Sequence, residues 1–215
     1  MVRPVIEDID EYRKHKRGCY LRLIASWFGL MFLIIAVMLF VRDRTLRNDP
    51  EAVQAELFQQ LVFTPPEGFF AYSRTKLAGA SVYAWWSEQH IGEDGRNTSV
   101  ISFYSKQSWS SRELGSVREE VLNKMEGLLD DSEFRTRAQA SIPFEIDGVK
   151  HTIYQYSGLQ KMDYGMFEAT SCFLFVQTPM GPIQIQTIGL DQTFAADAQI
   201  ACLKSVRPQP LNAGE

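Results

Sequence analysis

Groups able to do chemistry are few in this chain, and they stand apart. The three histidines, His15, His90 and His151, lie far from one another without ligand spacing, and no Cys-x-x-Cys joins the three cysteines. A zinc site, which needs ligands clustered at short spacings, is not expected, and no cofactor is. Acyl-transfer chemistry would need a nucleophile beside a base. The serine-rich stretch 105–111 has no Gly-x-Ser-x-Gly turn, and the acid nearest His151 in sequence is Asp147, across a turn. No catalytic set is therefore assigned; a hydrolase assembled from residues distant in sequence is the third-ranked reading. Gly92-Glu93-Asp94-Gly95 carries two carboxylates, but Arg96 interrupts the run of oxygen ligands that a calcium loop requires, so it reads as a solvated turn. Asn97-Thr98-Ser99 matches a glycosylation sequon, which has meaning only in a secreted eukaryotic setting. Cys172 and Cys202 could pair as a disulfide in an oxidising compartment. Their apolar neighbours (Phe173-Leu174, Ala201 and Leu203) suit buried free thiols equally.

Residues suited to binding are easier to find. Trp85-Trp86 sit in a strand-like run, where adjacent side chains face opposite sides, so core packing and an exposed aromatic are the two readings. Phe69-Phe70 offer the same choice near the start of the folded region. Gln184 and Gln186 must point the same way by strand period, and Gln177 can share their face; this set is either solvated or lines a polar groove. Phe69, Phe70, Trp85, Trp86, Gln184 and Gln186 are the candidate interaction residues. Met180, flanked by Pro179 and Pro182, reads as a turn.

What positions these groups begins with a membrane. Leu23 to Val41 is nineteen residues without a charged side chain, about 28 Å as a helix against a hydrocarbon layer of about 30 Å. The run is longer than a signal-peptide core, and Arg42-Asp43-Arg44 after it offers no small cleavage site, so it reads as an uncleaved anchor. Six basic residues precede it (Arg3, Arg13, Lys14, Lys16, Arg17, Arg22) and three follow (Arg42, Arg44, Arg47), which favours a cytoplasmic amino terminus. The domain that follows would then face the periplasm or the cell exterior, tied to an inner or cell membrane. Residues 1–22 carry net +2 and residues 42–215 net −6. An acidic domain without a basic stripe repels phosphate backbones, so nucleic acid is not an expected partner.

Periodicity divides the remainder. A basic stub (1–22) and the anchor (23–41) lead to a juxtamembrane linker and helix (42–62), started by Asp49-Pro50 and marked by Val53, Leu57 and Leu61 at four-residue spacing. The domain, 63–208, opens at Thr64-Pro65-Pro66-Glu67-Gly68. Strands are expected over 69–76, 81–88 and 99–105, the last two joined by a hairpin loop around Gly92–Asn97. Ser110-Ser111-Arg112-Glu113 has capping-box spacing and introduces an amphipathic helix over 111–130. Four further strands follow. Asp147-Gly148 turns the first pair, and a second hairpin forms around Thr178–Pro182. A helix from Phe194 to Val206 ends before Pro208, and 209–215 reads as a frayed tail. The fold class is α+β: an antiparallel sheet flanked by helices and preceded by one transmembrane helix.

This pattern resembles the Mog1/PsbP-like α/β/α sandwich over residues 63–208. The likeness rests on the opening Phe63-Thr64-Pro65-Pro66-Glu67-Gly68-Phe69, the mid-chain amphipathic helix, the paired late strands and the close Ala201-Cys202-Leu203-Lys204-Ser205-Val206-Arg207. It is nearest to single-pass bacterial versions with a basic amino-terminal stub. The resemblance implies a non-enzymatic scaffold that binds other proteins; the anchor departs from the soluble examples, and no binding residue carries over. The leading expectation is a single-pass, non-catalytic protein-interaction domain, an accessory subunit of a membrane complex. The alternative is a small-ligand-binding or sensory domain using the Gln184/Gln186 face.

Overall fold

The structure, a computed structural model, describes residues 46–47, 49–77, 79–87, 99–131, 134–162 and 165–209. The chain divides into units 1–44 and 45–215, and every described residue belongs to the second. The expected membrane segment Leu23–Val41 and the loop Gly92–Asn97 lie outside the described residues. Among those described, no helix is long and apolar enough to cross a membrane.

The expected α+β architecture is present. An eight-stranded sheet is built from β1 (Leu46–Arg47), β3 (Phe69–Leu77), β4 (Ala80–Ser87), β5 (Ser99–Lys106), β6 (Phe134–Ile146), β7 (Val149–Met162), β8 (Gly165–Thr178) and β9 (Gly181–Leu190). Its spatial order is β1-β3-β4-β5-β9-β8-β7-β6, and every neighbouring pair is antiparallel. Three helices pack on it: α1 (Pro50–Phe58), α2 (Leu114–Asp131) and α3 (Ala196–Lys204). A small second sheet pairs β2 (Leu61–Val62) with β10 (Arg207–Pro208).

Alternation along the strands sends apolar side chains to both faces, and a helix layer covers each. On one face α1 contributes Val53 and Leu57, and α3 contributes Cys202 and Leu203, against Trp85, Phe103, Cys172, Leu174 and Ile185 of the sheet. On the other, Val117, Val121 and Met125 recur at four-residue spacing along α2 and pack on Phe173, Phe175 and Tyr156. Each fully buried Leu or Phe contributes about 1.5–3 kcal/mol relative to exposure. Helix α1 starts as its sequence requires, with the Asp49 side chain accepting from the Ala52 amide at 3.4 Å and Pro50 in the first turn. It falls in the expected linker-and-helix segment 42–62, and Val53 and Leu57 place it within the core.

The two segments that carry the family resemblance meet in space. The Thr64 amide donates to Ser205 Oγ at 2.9 Å, and Ser205 Oγ in turn reaches the Thr64 carbonyl. Gln209, expected to begin the frayed tail, donates its amide to the Gln60 carbonyl.

Two local expectations change. The capping box at Ser110–Glu113 does not form: helix α2 begins at Leu114, and the Val117 amide bonds to the Glu113 carbonyl. Ser110 Oγ instead donates to the Gln107 carbonyl, closing a single 3-10 turn, Gln107–Trp109, that buries Trp109. The second concerns β6, where alternation fails. Arg135 through Ser141 are exposed at every position, because β6 is the outermost strand, with a bulge between Thr136 and Ala138. The Asp147-Gly148 turn is as expected, with both residues at positive φ (48° and 81°), the signature of a tight hairpin.

Candidate functional site

The face covered by α2 is covered only in part. Helix α2 contacts β6, β8 and β9, while the same face continues over β5, β4 and β3. Register lays out its rows. Thr75, Val82, Tyr104 and Gln184 form one; Ser73, Ala84, Ser102 and Gln186 the next; Phe70, Trp86, Val100 and Ile188 the third. The middle row is small and polar, and the first and third carry the larger rings. That difference in side-chain size leaves a depression along the middle row, a groove in which Ser102 and Gln186 line a cavity.

A cavity of about 450 Å³ opens where this floor meets α2, lined by Gln184, Gln186, Ser102, Tyr104, Trp109 and Lys106, with Glu120 and Lys124 on the helix side. Its volume lies within the usual range of small-molecule sites. The Gln186 amide donates to Ser171 Oγ at 3.3 Å, while the Gln184 side chain makes no hydrogen bond to a described residue. Lys106 Nζ lies 5.5 Å from the Tyr104 ring centroid and 5.6 Å from that of Trp109, and these two rings meet edge to face at 5.2 Å. On the helix, Glu120 accepts from Arg112 and, at 3.1 Å, from Lys124; these hydrogen bonds hold its carboxyl down to about 2. The groove thus offers the Gln184 side-chain amide, which bonds to no described residue, the Tyr104 ring backed by buried Trp109, and a cation at its mouth. Chemically, an amide can exchange paired hydrogen bonds with another amide, and an aromatic ring can lie against a planar group.

The sequence candidates separate by strand parity. Trp85 is 1% exposed and Phe69 9%; both belong to the core under α1 and α3, so neither is available for binding. Phe70, Trp86, Gln184 and Gln186 share the grooved face. Trp86 stacks on Tyr72 at 3.7 Å with the planes 7° apart. Gln177 lies on that face too, but at the strand end, its amide turned to the Thr178 carbonyl. Tyr104, Trp109, Lys106 and Tyr72 were not singled out in the sequence. Tyr104 was accessible through its register with Gln184, whereas Trp109 is placed by a 3-10 turn that has no periodic signature.

Cys172 and Cys202 are free thiols, both buried in the core under α1 and α3. Burial pushes each thiol up to about 12, opposite to the shift that activates a nucleophile. His151 packs its ring 5.7 Å from Phe144, and burial lowers its pKa despite a hydrogen bond with the Phe175 backbone. Among the described residues, no group of three His, Cys, Asp or Glu side chains could hold a metal ion.

On the opposite face a second cavity, about 520 Å³, adjoins a polar cluster. The Glu56 carboxylate, on α1, accepts from Arg74 Nη1 at 3.0 and 3.2 Å, Lys76 Nζ at 2.6 Å and Tyr83 OH at 3.2 Å. Burial opposes ionisation of Glu56, but the hydrogen bond and charge of Lys76, with those of Arg74, outweigh it and hold the pKa below 4.5. Tyr83 is pushed up to about 12, first by burial and then by the Glu56 charge. These groups bond to one another, and they clamp α1 to β3 and β4. Glu56→Gln is expected to cost about 1–2 kcal/mol at pH 7. Because the folded-state pKa is the lowered one, this advantage is complete above 4.5 and disappears as pH falls through the folded value. Urea unfolding of both forms between pH 7 and pH 3 checks it; a gap that is constant with pH would contradict the ionic clamp.

No protein-family model matches the chain, and no curated protein matches it. Among solved structures, a similarity is found to the crystal structure of LpqN, a protein involved in cell envelope biogenesis of Mycobacterium tuberculosis. The identity is 11%, the TM-score is 0.38, and the match covers 70% of this chain and 83% of that one.

Proposed function

We propose that this chain is a single-pass, membrane-anchored, non-catalytic binding domain, held on the far side of the membrane from the cytoplasm. It takes a segment of a partner protein into the groove between α2 and the β5–β4 half of the sheet, as an accessory subunit of a membrane complex. The observation that carries this reading is the groove itself: Gln184, whose side chain bonds to no described residue, lies with Gln186 and Ser102 in one cavity, and the same sheet face carries Ala84 and the Trp86–Tyr72 stack on the neighbouring strands. An extended segment fits such an open trough, bonding to the amides and lying against the rings. The uncharged run 23–41 and the basic bias before it support the anchor and its orientation. Helices on both faces of an antiparallel sheet support the Mog1/PsbP-like assignment, which belongs to this proposal. A small polar ligand in the same groove is the second reading, favoured by the volume of about 450 Å³.

Photo-crosslinking tests it. With benzoylphenylalanine in place of Ser102, full-length protein in native membranes is expected to give a discrete protein adduct. The same probe at Glu168, exposed on β8, is expected to give none, and Gln184→Ala with Gln186→Ala should weaken the adduct about tenfold, as expected when two buried hydrogen bonds are lost. A monomer without adduct under every mild extraction would sink the protein-partner reading. Thermal stabilisation by a small-molecule extract would then favour the second.

A further inference from the structure

Strand β1 shows at which end the chain enters the domain. Leu46 pairs with Thr75 and Arg47 with Arg74, antiparallel, so β1 runs from the carboxyl-terminal end of β3 towards its amino-terminal end. The residues before Leu46 therefore arrive at the end of the sheet formed by the β3–β4, β6–β7 and β8–β9 turns. The opposite end is formed by the β7–β8 turn and by Asp191–Ala195 after β9.

The two most exposed large apolar side chains lie at one of these ends. Among the described residues, Met180 in the β8–β9 turn is 68% exposed and Val149 at the β6–β7 turn 58%; Met166, at the opposite end, is 39% exposed, and Tyr72 and Val62, away from the entry turns, 37% and 36%. Single exposed apolar residues are ordinary and need no explanation. Here the two most exposed sit on separate hairpin tips at the end where the chain enters. The β8–β9 tip is also held rigidly. Gly181 has φ 116°, and a Cβ there would lie 2.7 Å from Ser110 Cα, so the turn is wedged against the 3-10 turn. Thr178 Oγ1 closes it by donating to the Gly181 carbonyl at 2.8 Å. A rigid tip presenting Pro179 and Met180 loses little conformational entropy on burial.

We propose that this end of the domain rests on the bilayer surface, with Met180 and Val149 entering the interfacial layer. The inference relies on the anchor of the reading above. Only residues 42–45 separate Val41 from Leu46, a reach of at most about 18 Å even fully extended. So short a tether keeps the entry end close to the headgroups, where apolar tips gain from leaving water. The groove floor, a row that crosses the strands, then lies parallel to the bilayer, reachable by another membrane-bound protein.

The test uses the full chain with Cys19→Ser, reconstituted in phosphatidylcholine vesicles; Cys172 and Cys202 are buried. A bimane label is placed singly through Met180→Cys, Val149→Cys, Met166→Cys or Gln192→Cys. Lipid carrying a nitroxide near the top of the acyl chain is the quencher. The labels at 180 and 149 are expected to lose most of their emission, and those at 166 and 192 to keep it. Equal emission at all four sites, with the protein still resisting alkaline carbonate, overturns the inference and leaves the anchor standing. Release by carbonate overturns the anchor and this inference together. A label at 180 shielded from aqueous iodide yet untouched by the nitroxide lipid means that protein covers this end, which overturns the lipid assignment.

Discussion

Trp85→Ala is expected to destabilise the domain by about 3–5 kcal/mol, the range for emptying a large buried aromatic site. Trp86→Ala, one residue on, is expected to cost less than about 1.5 kcal/mol. The two differ because a strand sends consecutive side chains to opposite faces. Trp85 is 1% exposed and meets Phe63 and Phe103 edge to face, each at 5.2 Å, in the layer that also holds Leu57 and Leu203. Its removal leaves a hole that no neighbouring helix can close without moving α1. Trp86 is half-buried and loses mainly its stack on Tyr72. Urea unfolding of the full chain in mild detergent, followed by circular dichroism, compares them. Equal losses would contradict the assignment of faces. The crosslinking adduct should respond in the reverse order: it should weaken in Trp86→Ala and survive in whatever fraction of Trp85→Ala remains folded.

Gln199→Leu is the second large effect, expected at about 2–4 kcal/mol although the substitution is close to isosteric and apolar. Gln199 is a fully buried polar side chain on α3. Its Oε1 accepts from Thr187 Oγ1 at 2.8 Å, and its Nε2 donates to the Phe194 carbonyl at 2.8 Å and the Thr170 carbonyl at 3.1 Å. One amide therefore ties α3 to β8, to β9 and to the turn that precedes it. Leucine would leave a hydroxyl and two carbonyls buried with a bond missing each, and the cost lies in those orphaned groups. Thr187→Val removes one of the three bonds and is expected to cost about 1 kcal/mol. Equal costs for the two variants would mean that the carbonyl bonds add nothing.

The order of elements was legible in the sequence because its signals are local. Asp49-Pro50 starts a helix, Val117, Val121 and Met125 mark one face of another, and Asp147-Gly148 turns a hairpin; each acts within a few residues. Parity also predicted that Gln184 and Gln186 point the same way. Two kinds of information were missing. Which member of Trp85-Trp86 or Phe69-Phe70 faces the core depends on which face α1 and α3 occupy, a tertiary choice invisible to a period-two pattern. The groove was also hidden, because its walls come from Tyr104, a 3-10 turn carrying Trp109, and a helix that stops covering the sheet beyond β9. Ser110 illustrates the same limit. Its capping-box spacing was real, but the Gln107 carbonyl competed for the hydroxyl and won.

The outermost strand has a consequence wherever copies of the molecule come together. Thirteen residues of β6 present one row of backbone groups to solvent, an edge on which a second copy of the chain could pair. Arg135 and Arg137 put like charges on that strand, the bulge beside Arg137 breaks its regular hydrogen-bond spacing, and Pro143, which has no amide hydrogen, lies on it too. Neighbouring copies are thereby discouraged from zipping into a continuous ribbon, so the molecule can be displayed at high density without seeding its own aggregation.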